Sequence, residues 1–317
     1  MLNFLRNLVD QPSGTANRNA LDAEPVTGKS WASAISKIER NEQMQALPLV
    51  AHFAGAEPWI SFDRVPLEHP IEEYIGRDPW PLPLPADREG YHGDRHYDYW
   101  RSGLKDYLSI KNTLRQQGVS LQQAGPILDF GCASGRVLRH MLCNLPDADV
   151  WGADIDIRLV DWILKYLGNR PRVFHSTVLP FLPVQDSFFG LVYALSVFTH
   201  IDEFELAWLC ELRRILRPGG VAYITAHTDH TWGILGPDHM LYQVLLEQPT
   251  FGVTAESFRT PMPAERLVYR WPGQVNTVSM FFSVDYIRRI WGRFLDIVEI
   301  IPEGSDYQDV VVMRKRE

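Results

Sequence analysis

The stretch PILDFGCASGRVLRHM, residues 126–141, most constrains what this chain can fold into. An apolar run leads into Asp129, then a loop with glycines at 131 and 135, then an amphipathic pattern in Val137, Leu138, Met141, Leu142 and Leu145. A short strand feeding a glycine turn and a helix opens a nucleotide-binding α/β fold, because strand end, turn and helix start converge on one ligand. Dinucleotide folds space three glycines as G-x-G-x-x-G to let the backbone approach a pyrophosphate. Here the second and third of those positions hold Ala133 and Arg136, so the dinucleotide fingerprint fails.

Strand and helix patterns keep alternating after this opening. ADVWGAD, RVFH and FGLVYAL read as strands, and Ile157, Val160, Ile163, Leu164 and Leu167 form a helical face closed by Gly168. Trp208, Leu209, Leu212, Ile215 and Leu216 keep helical spacing between Asp202 and Arg217, where Asp202 and Glu205 have the spacing of a capping box. RPGG then reads as a stop and turn before the strand VAYITAH. The tail supplies a helix near Val284 to Trp291, a strand FLDIVEIIP, a turn EGSD and a last strand VVVM. Such alternation predicts an α/β fold: a doubly wound, mainly parallel seven-stranded sheet with helices on both faces and an antiparallel C-terminal hairpin.

Upstream, residues 1 to about 30 are polar and aperiodic and read as a loose arm. PWPLPLP, ending at Pro85, has proline at every second position, which forbids helix and marks an extended connector. A helix is predicted from Tyr97 to Gln117, stopped by Gly118 and placed to cap the nucleotide fold. The organisation expected is an N-terminal extension and connector over 1–95 and the nucleotide-binding domain over 96–317, interrupted by an insertion at 228–280.

Composition narrows the partners. The 317 residues are 45% hydrophobic with ten tryptophans, enough for a large core. A net charge of −8, with basic residues clustered only at Arg314–Lys315–Arg316, argues against a nucleic-acid partner. Cys132, Cys143 and Cys210 lack C-x-x-C spacing, which argues against disulfides and zinc. No apolar run approaches the roughly 18 residues of a membrane span. MLNFLRNLVD is too polar for a secretory core, so a soluble, cytoplasmic protein is expected.

Asp129 then selects the ligand. A carboxylate before the loop repels a pyrophosphate but binds a cationic amine, and the helix start behind Ser134 favours a carboxylate. An amino-acid zwitterion attached to adenosine suits both, and S-adenosylmethionine (SAM) is such a molecule. Asp154, 19 residues beyond Gly135, stands where ribose hydroxyls need an acceptor. Asp156 is its rival but sits where the next helix needs an N-cap.

These residues resemble the class I SAM-dependent methyltransferases of bacterial small-molecule and polysaccharide biosynthesis. ILDFGCASGR resembles the first motif of the family, GADID the ribose-acid motif, and LPFLPVQDSFFGLVYALSVFTHI the segment around the fourth strand. ELRRILRPGG and the tail FFSVDYIRRIWGRFLDIVEIIPEGSDYQDVVVMRK resemble the following helix-turn and the closing hairpin. Two positions depart from the pattern: Ala133 replaces a usual glycine and is expected at negative φ, and Gly190 stands where an aspartate is preferred. The resemblance implies cofactor contacts from Asp129, Gly131, Cys132, Ala133, Gly135 and Arg136 in the first motif. It implies further contacts from Asp154 and Ile155, from Ser176 and Thr177, and from Leu195.

A sulfonium is already a good electrophile, so placement does much of the work and a base is needed only for an acceptor that loses a proton. LSVFTH occupies the position where amide and base methyltransferases carry an N/D-P-P-Y motif, and no nucleophilic cysteine is near. A small-molecule hydroxyl, on a sugar or natural product, is the expected acceptor. His227, His200 and His230 are the candidate bases at the carboxyl edge of the central strands, His227 first because it ends a strand and His200 has a competing helix-start role. Thr228–Met280 reads as a lid or substrate wall whose Trp232, Tyr269 and Trp271 flank the site. No metal is expected there, since magnesium prefers carboxylate oxygens and the segment from His227 to His239 offers only Asp229 and Asp238. The rival reading is a SAM-binding regulatory or subunit protein without transferase activity.

Overall fold

The computed structural model describes residues 46, 47, 49, 53, 57–271 and 278–317. The arm over 1 to about 30, and positions such as His52 and Pro272, lie outside the described residues. The strands of the main sheets are β1 (Ile127–Phe130), β2 (Val150–Asp154), β3 (Arg172–His175), β4 (Phe189–Ala194), β5 (Leu216–Thr228), β6 (Arg266–Arg270), β7 (Val278–Phe282), β8 (Asp296–Ser305) and β9 (Gln308–Arg314). The helices used below are α1 (Ile71–Arg77), α2 (His96–Gln116), α3 (Leu138–Asn144), α4 (Ile157–Tyr166), α5 (Glu205–Ile215), α6 (Asp229–Ile234), α7 (Met240–Leu246) and α8 (Val284–Ile290).

Strands apolar at nearly every position need cover on both faces, and the period of two decides which face each residue serves. Ile127 of β1, Leu191 and Tyr193 of β4, Val221 and Tyr223 of β5, and Val310 and Val312 of β9 enter one core with α2 and α3. Their neighbours Leu128, Val192, Ala194, Ala222, Ile224 and Val311 enter the other, with Leu209 and Leu212 of α5 and Ile287 of α8. The strand order is β8-β9-β5-β4-β1-β2-β3. Pairs β5–β4, β4–β1, β1–β2 and β2–β3 are parallel, and β5–β9 and β9–β8 antiparallel. This is the expected doubly wound sheet with a C-terminal hairpin. The insertion adds two strands: β7 runs parallel to the last residues of β5, and β6 pairs antiparallel to β7.

Three local expectations change. RPGG is not a turn ahead of β5 but an irregularity inside it: Leu216 pairs with Phe189, pairing resumes at Val221, and the Gly219 amide (φ 73°) donates to the Lys315 carbonyl. Asp202 and Glu205 form no capping box, because the helix starts only at Glu205 and both carboxylates are engaged elsewhere. Asp202 pairs with Arg270, and Glu205 accepts from Arg266 Nε (2.8 Å) and Trp291 Nε1 (2.6 Å). The hairpin turn is Asp306–Tyr307 rather than EGSD, since Ser305 is already paired with Gln308. Gly190 is explained by crowding. A Cβ there would lie 2.1 Å from the Ala124 carbonyl oxygen and 2.7 Å from Arg217 Nη2, so an aspartate has no room.

The N-terminal segment shares the core of the domain. Tyr74 of α1 and Leu82 of the proline-rich stretch are buried with α2 and α3. Beneath them, Asp78 accepts from Arg139 Nε (2.7 Å) and Nη2 (3.0 Å) and from Trp100 Nε1 (2.8 Å). Both ion-pair side chains are fully buried, so loss of one partner strands a charge in the core. Asp78→Leu or Arg139→Leu alone should lower unfolding free energy by about 3–5 kcal/mol, with much of the loss recovered in the double variant. Urea denaturation of the three proteins tests this; additive losses would mean the pair does not act as a unit.

Candidate active site

The order reverses at β1, which has β4 on one side and β2 on the other. Crossovers leave such a strand in opposite directions and open a crevice at the carboxyl edge. A cleft of about 1500 Å³ lies there, closed from above by residues before and within α2, including Arg88, Tyr91 and Tyr99.

The glycine loop is tightly wound. Gly131 (φ 82°) and Gly135 (φ 81°) adopt left-handed backbone, and so does Ala133 (φ 46°), against the negative φ expected. The alanine is held there by the hydrogen bond that its backbone amide donates to Asp154 Oδ2 (2.8 Å), which offsets a left-handed cost of about 1–2 kcal/mol. The amides of Gly131 and Cys132 donate to the Ala153 carbonyl, and that of Gly135 to the Cys132 carbonyl. Loop donors expected to hold an anion are therefore engaged inside the protein. The helix behind them also starts late, at Leu138.

Asp154 does more than end β2. Its Oδ1 accepts the Asp156 amide (2.8 Å) while Oδ2 fixes the loop, leaving lone pairs of both oxygens for a diol. Asp156 caps α4 by accepting the Arg158 amide, the role its position suggests. Asp129 is 4% exposed, with the Tyr193 side chain opposite it on β4. Burial pushes its carboxyl up to about 7, and the Tyr193 hydroxyl works in the opposite direction. A buried carboxylate so short of counter-charge suits a ligand ammonium.

Asp129, Gly131, Cys132, Ala133, Arg136, Asp154, Ile155, Ser176, Thr177 and Leu195 line the one cleft. Gly135 instead turns toward α4, where a Cβ would meet Leu167 Cδ2 at 3.2 Å. Arg88, Glu89 and Tyr91 join the lining without any sequence signal, since they lie in and after the short 3-10 turn Pro85–Arg88. Tyr99 of α2 lines the cleft too, and it is not part of the apolar spacing that predicts this helix.

The three histidines separate. His200 lines the cleft, and its Nδ1 lies 2.7 Å from the Val278 carbonyl. A carbonyl only accepts, so Nδ1 carries the proton and Nε2 keeps its lone pair. Burial lowers the His200 pKa and keeps the ring neutral. His227 does not line the cleft: it is 2% exposed, between Phe281 and Tyr307, with Nδ1 3.2 Å from the Met280 carbonyl and its pKa pulled down to about 3 by burial. The β7 strand covers it there, a partner the sequence pattern of β5 does not disclose. His230 is also outside the cleft, 3.0 Å from the buried Asp309 carboxylate. Among the described residues of the insertion, Arg270 and Val278 reach the cleft. Trp232 and Trp271 are buried in the insertion's own cluster with Leu241, Leu245 and Phe258.

Asp129 gives a pH signature. Its folded value lies above the ordinary aspartate value, so the unliganded protein holds a proton there until the pH rises through about 7, and loses stability over that interval. A bound ammonium favours the ionised form. SAM titrated near pH 6.5 should therefore release a proton, release almost none near pH 8.5, and release none in Asp129→Asn. Calorimetry in buffers of different ionisation enthalpy measures this, and no release in the wild type would mean that Asp129 is already ionised before SAM binds.

Residues 128–224 match the protein family described as a methyltransferase domain. The chain is 28% identical over 105 residues to the malonyl-[acyl-carrier protein] O-methyltransferase of Hahella chejuensis, covering 32% of this chain and 37% of that protein. It thus spans little more than a third of that curated relative. Among solved structures, a SAM-dependent methyltransferase from Methanosarcina mazei superposes with a TM-score of 0.43 at 16% identity, over 60% of this chain and 92% of that one. A glycopeptide N-methyltransferase complexed with SAM gives 0.45 at 14% identity, over 66% and 92%. The matched methyltransferase domain, residues 128–224, contains the glycine loop and the acid that ends β2.

Proposed function

We propose that the protein transfers a methyl group from SAM to a hydroxyl of a small-molecule acceptor. The observation that carries this reading is one cleft holding Asp129, Asp154 and a neutral, oriented His200. When bound, SAM supplies a methyl group on an electrophilic sulfonium. Asp129 holds the ammonium, Asp154 accepts from the ribose hydroxyls, and His200 Nε2 takes the proton that the hydroxyl loses. Ile201, Phe204 and Trp208 give the acceptor end an apolar wall, and Arg270 there is paired with Asp202. Such a lining favours a neutral, hydroxylated acceptor over an anionic one. An O-methyltransferase among the relatives supports oxygen as the atom methylated. The insertion serves as a wall of the acceptor site through Arg270 and Val278.

Asp154→Ala should weaken SAM by about 1.5–3 kcal/mol, the worth of charge-assisted bonds to two hydroxyls. Isothermal calorimetry decides it; wild-type protein that binds NADH and not SAM would end this reading. A regulatory SAM-binding protein would bind equally well but release no S-adenosylhomocysteine with any of a library of hydroxylated metabolites.

With an acceptor in hand, His200→Ala should lower kcat roughly 100-fold and leave SAM affinity unchanged. Because its pKa is depressed, the wild-type rate should be level from neutral pH upward and fall only below the ordinary histidine value of about 6.5. A variant with normal turnover would leave placement alone to carry the reaction.

A further inference from the structure

Arg88 is a buried cation that forms no ion pair among the described residues, the Asp94 carboxylate acting on it only at a distance. It is 3% exposed and lines the cofactor cleft, stacked 4.5 Å over the Tyr99 ring. Its Nη2 donates to the Gly93 carbonyl and, at 2.9 Å, to His96 Nδ1, both uncharged acceptors. Its Nε and Nη1 have no hydrogen-bond partner among the described residues. The other arginines of the cleft are all paired: Arg136 with Asp106 (2.6 Å), Arg158 with Asp156, and Arg270 with Asp202. Two unpartnered guanidinium donors in a buried position are costly, and a planar fork of that kind fits a carboxylate.

The place of this fork bears on what it takes. Tyr99, beneath the guanidinium, reaches the glycine loop through its hydroxyl, 3.2 Å from Ser134 Oγ. That loop has already committed the amides of Gly131, Cys132, Ala133 and Gly135 to protein acceptors. A zwitterionic amino acid seated with its ammonium at Asp129 brings a carboxylate that these amides do not hold. We propose that Arg88 receives the carboxylate of the methionyl arm of SAM, so that residues preceding the matched methyltransferase domain complete the cofactor site. This rests on the SAM reading given above. The same fork could serve an anionic group on the acceptor, and the two sources separate experimentally.

The test compares three ligands, SAM, decarboxylated SAM and 5′-methylthioadenosine, on the full chain with Arg88, Arg88→Gln and Arg88→Lys. Wild type should prefer SAM over its decarboxylated analogue. Arg88→Gln should weaken SAM by at least about 30-fold and leave the two ligands without a carboxylate within a few-fold of wild type. Arg88→Lys, which keeps the charge and loses the fork, should fall between. General loosening of the fold would weaken all three ligands alike, and that outcome overturns the proposal. It is equally overturned if Arg88→Gln binds SAM normally, which would leave the fork to an acceptor anion. Wild type that binds none of the three would refute the SAM reading itself, a result distinct from either.

Discussion

The crevice at β1 is the constraint on which everything else depends. Parallel strands covered on both faces must send their connections to both sides, and at β1 those connections part. The parting exposes the ends of β1 and β2, where Asp129 and Asp154 sit, with the glycine loop between them. Asp154 has two duties at this point. By accepting the Ala133 amide it holds an alanine in left-handed backbone, and the same carboxylate faces the cleft.

The N-terminal segment is tied to this centre by contacts that leave little slack. Gly103 of α2 packs so closely on the turn after the loop that a Cβ would lie 2.1 Å from the Arg136 carbonyl oxygen. Asp78 holds Arg139 of α3 and Trp100 of α2 together, so α2 and α3 share one buried anion. The chain between these anchors is then confined over the cleft, and Arg88, Glu89 and Tyr91 arrive there with it. Burial of Arg88 with two guanidinium nitrogens unpartnered among the described residues is tolerable only where something else compensates it.

The insertion follows a different logic. Its aromatic residues pack on one another, Trp232 against Phe258 and Tyr269, and form a small core of their own. Its link to the domain is β7, laid along the end of β5, and the arginines of β6 that pair with Asp202 and Glu205. That link buries His227 and leaves His200 at the cleft wall, with the Val278 carbonyl fixing its tautomer.

Local pattern determined much of this protein. The two-residue period of the strands, the helical faces of α2, α4 and α5, and the acids near the ends of β1 and β2 are all properties of consecutive residues, and they predict the doubly wound sheet and its glycine loop. Asp156 as an N-cap is legible for the same reason. Tertiary structure decided what depends on partners remote in sequence. Whether a strand-end histidine faces a ligand or a covering strand was set by β7, 53 residues beyond His227 at Met280. The left-handed φ of Ala133 was set by a carboxylate 21 residues away, and the absence of an aspartate at position 190 by Ala124 and Arg217. Arg88 is the extreme case. Its meaning lies in guanidinium donors left without a partner among the described residues, and such a lack in space leaves no mark on the order of residues along the chain.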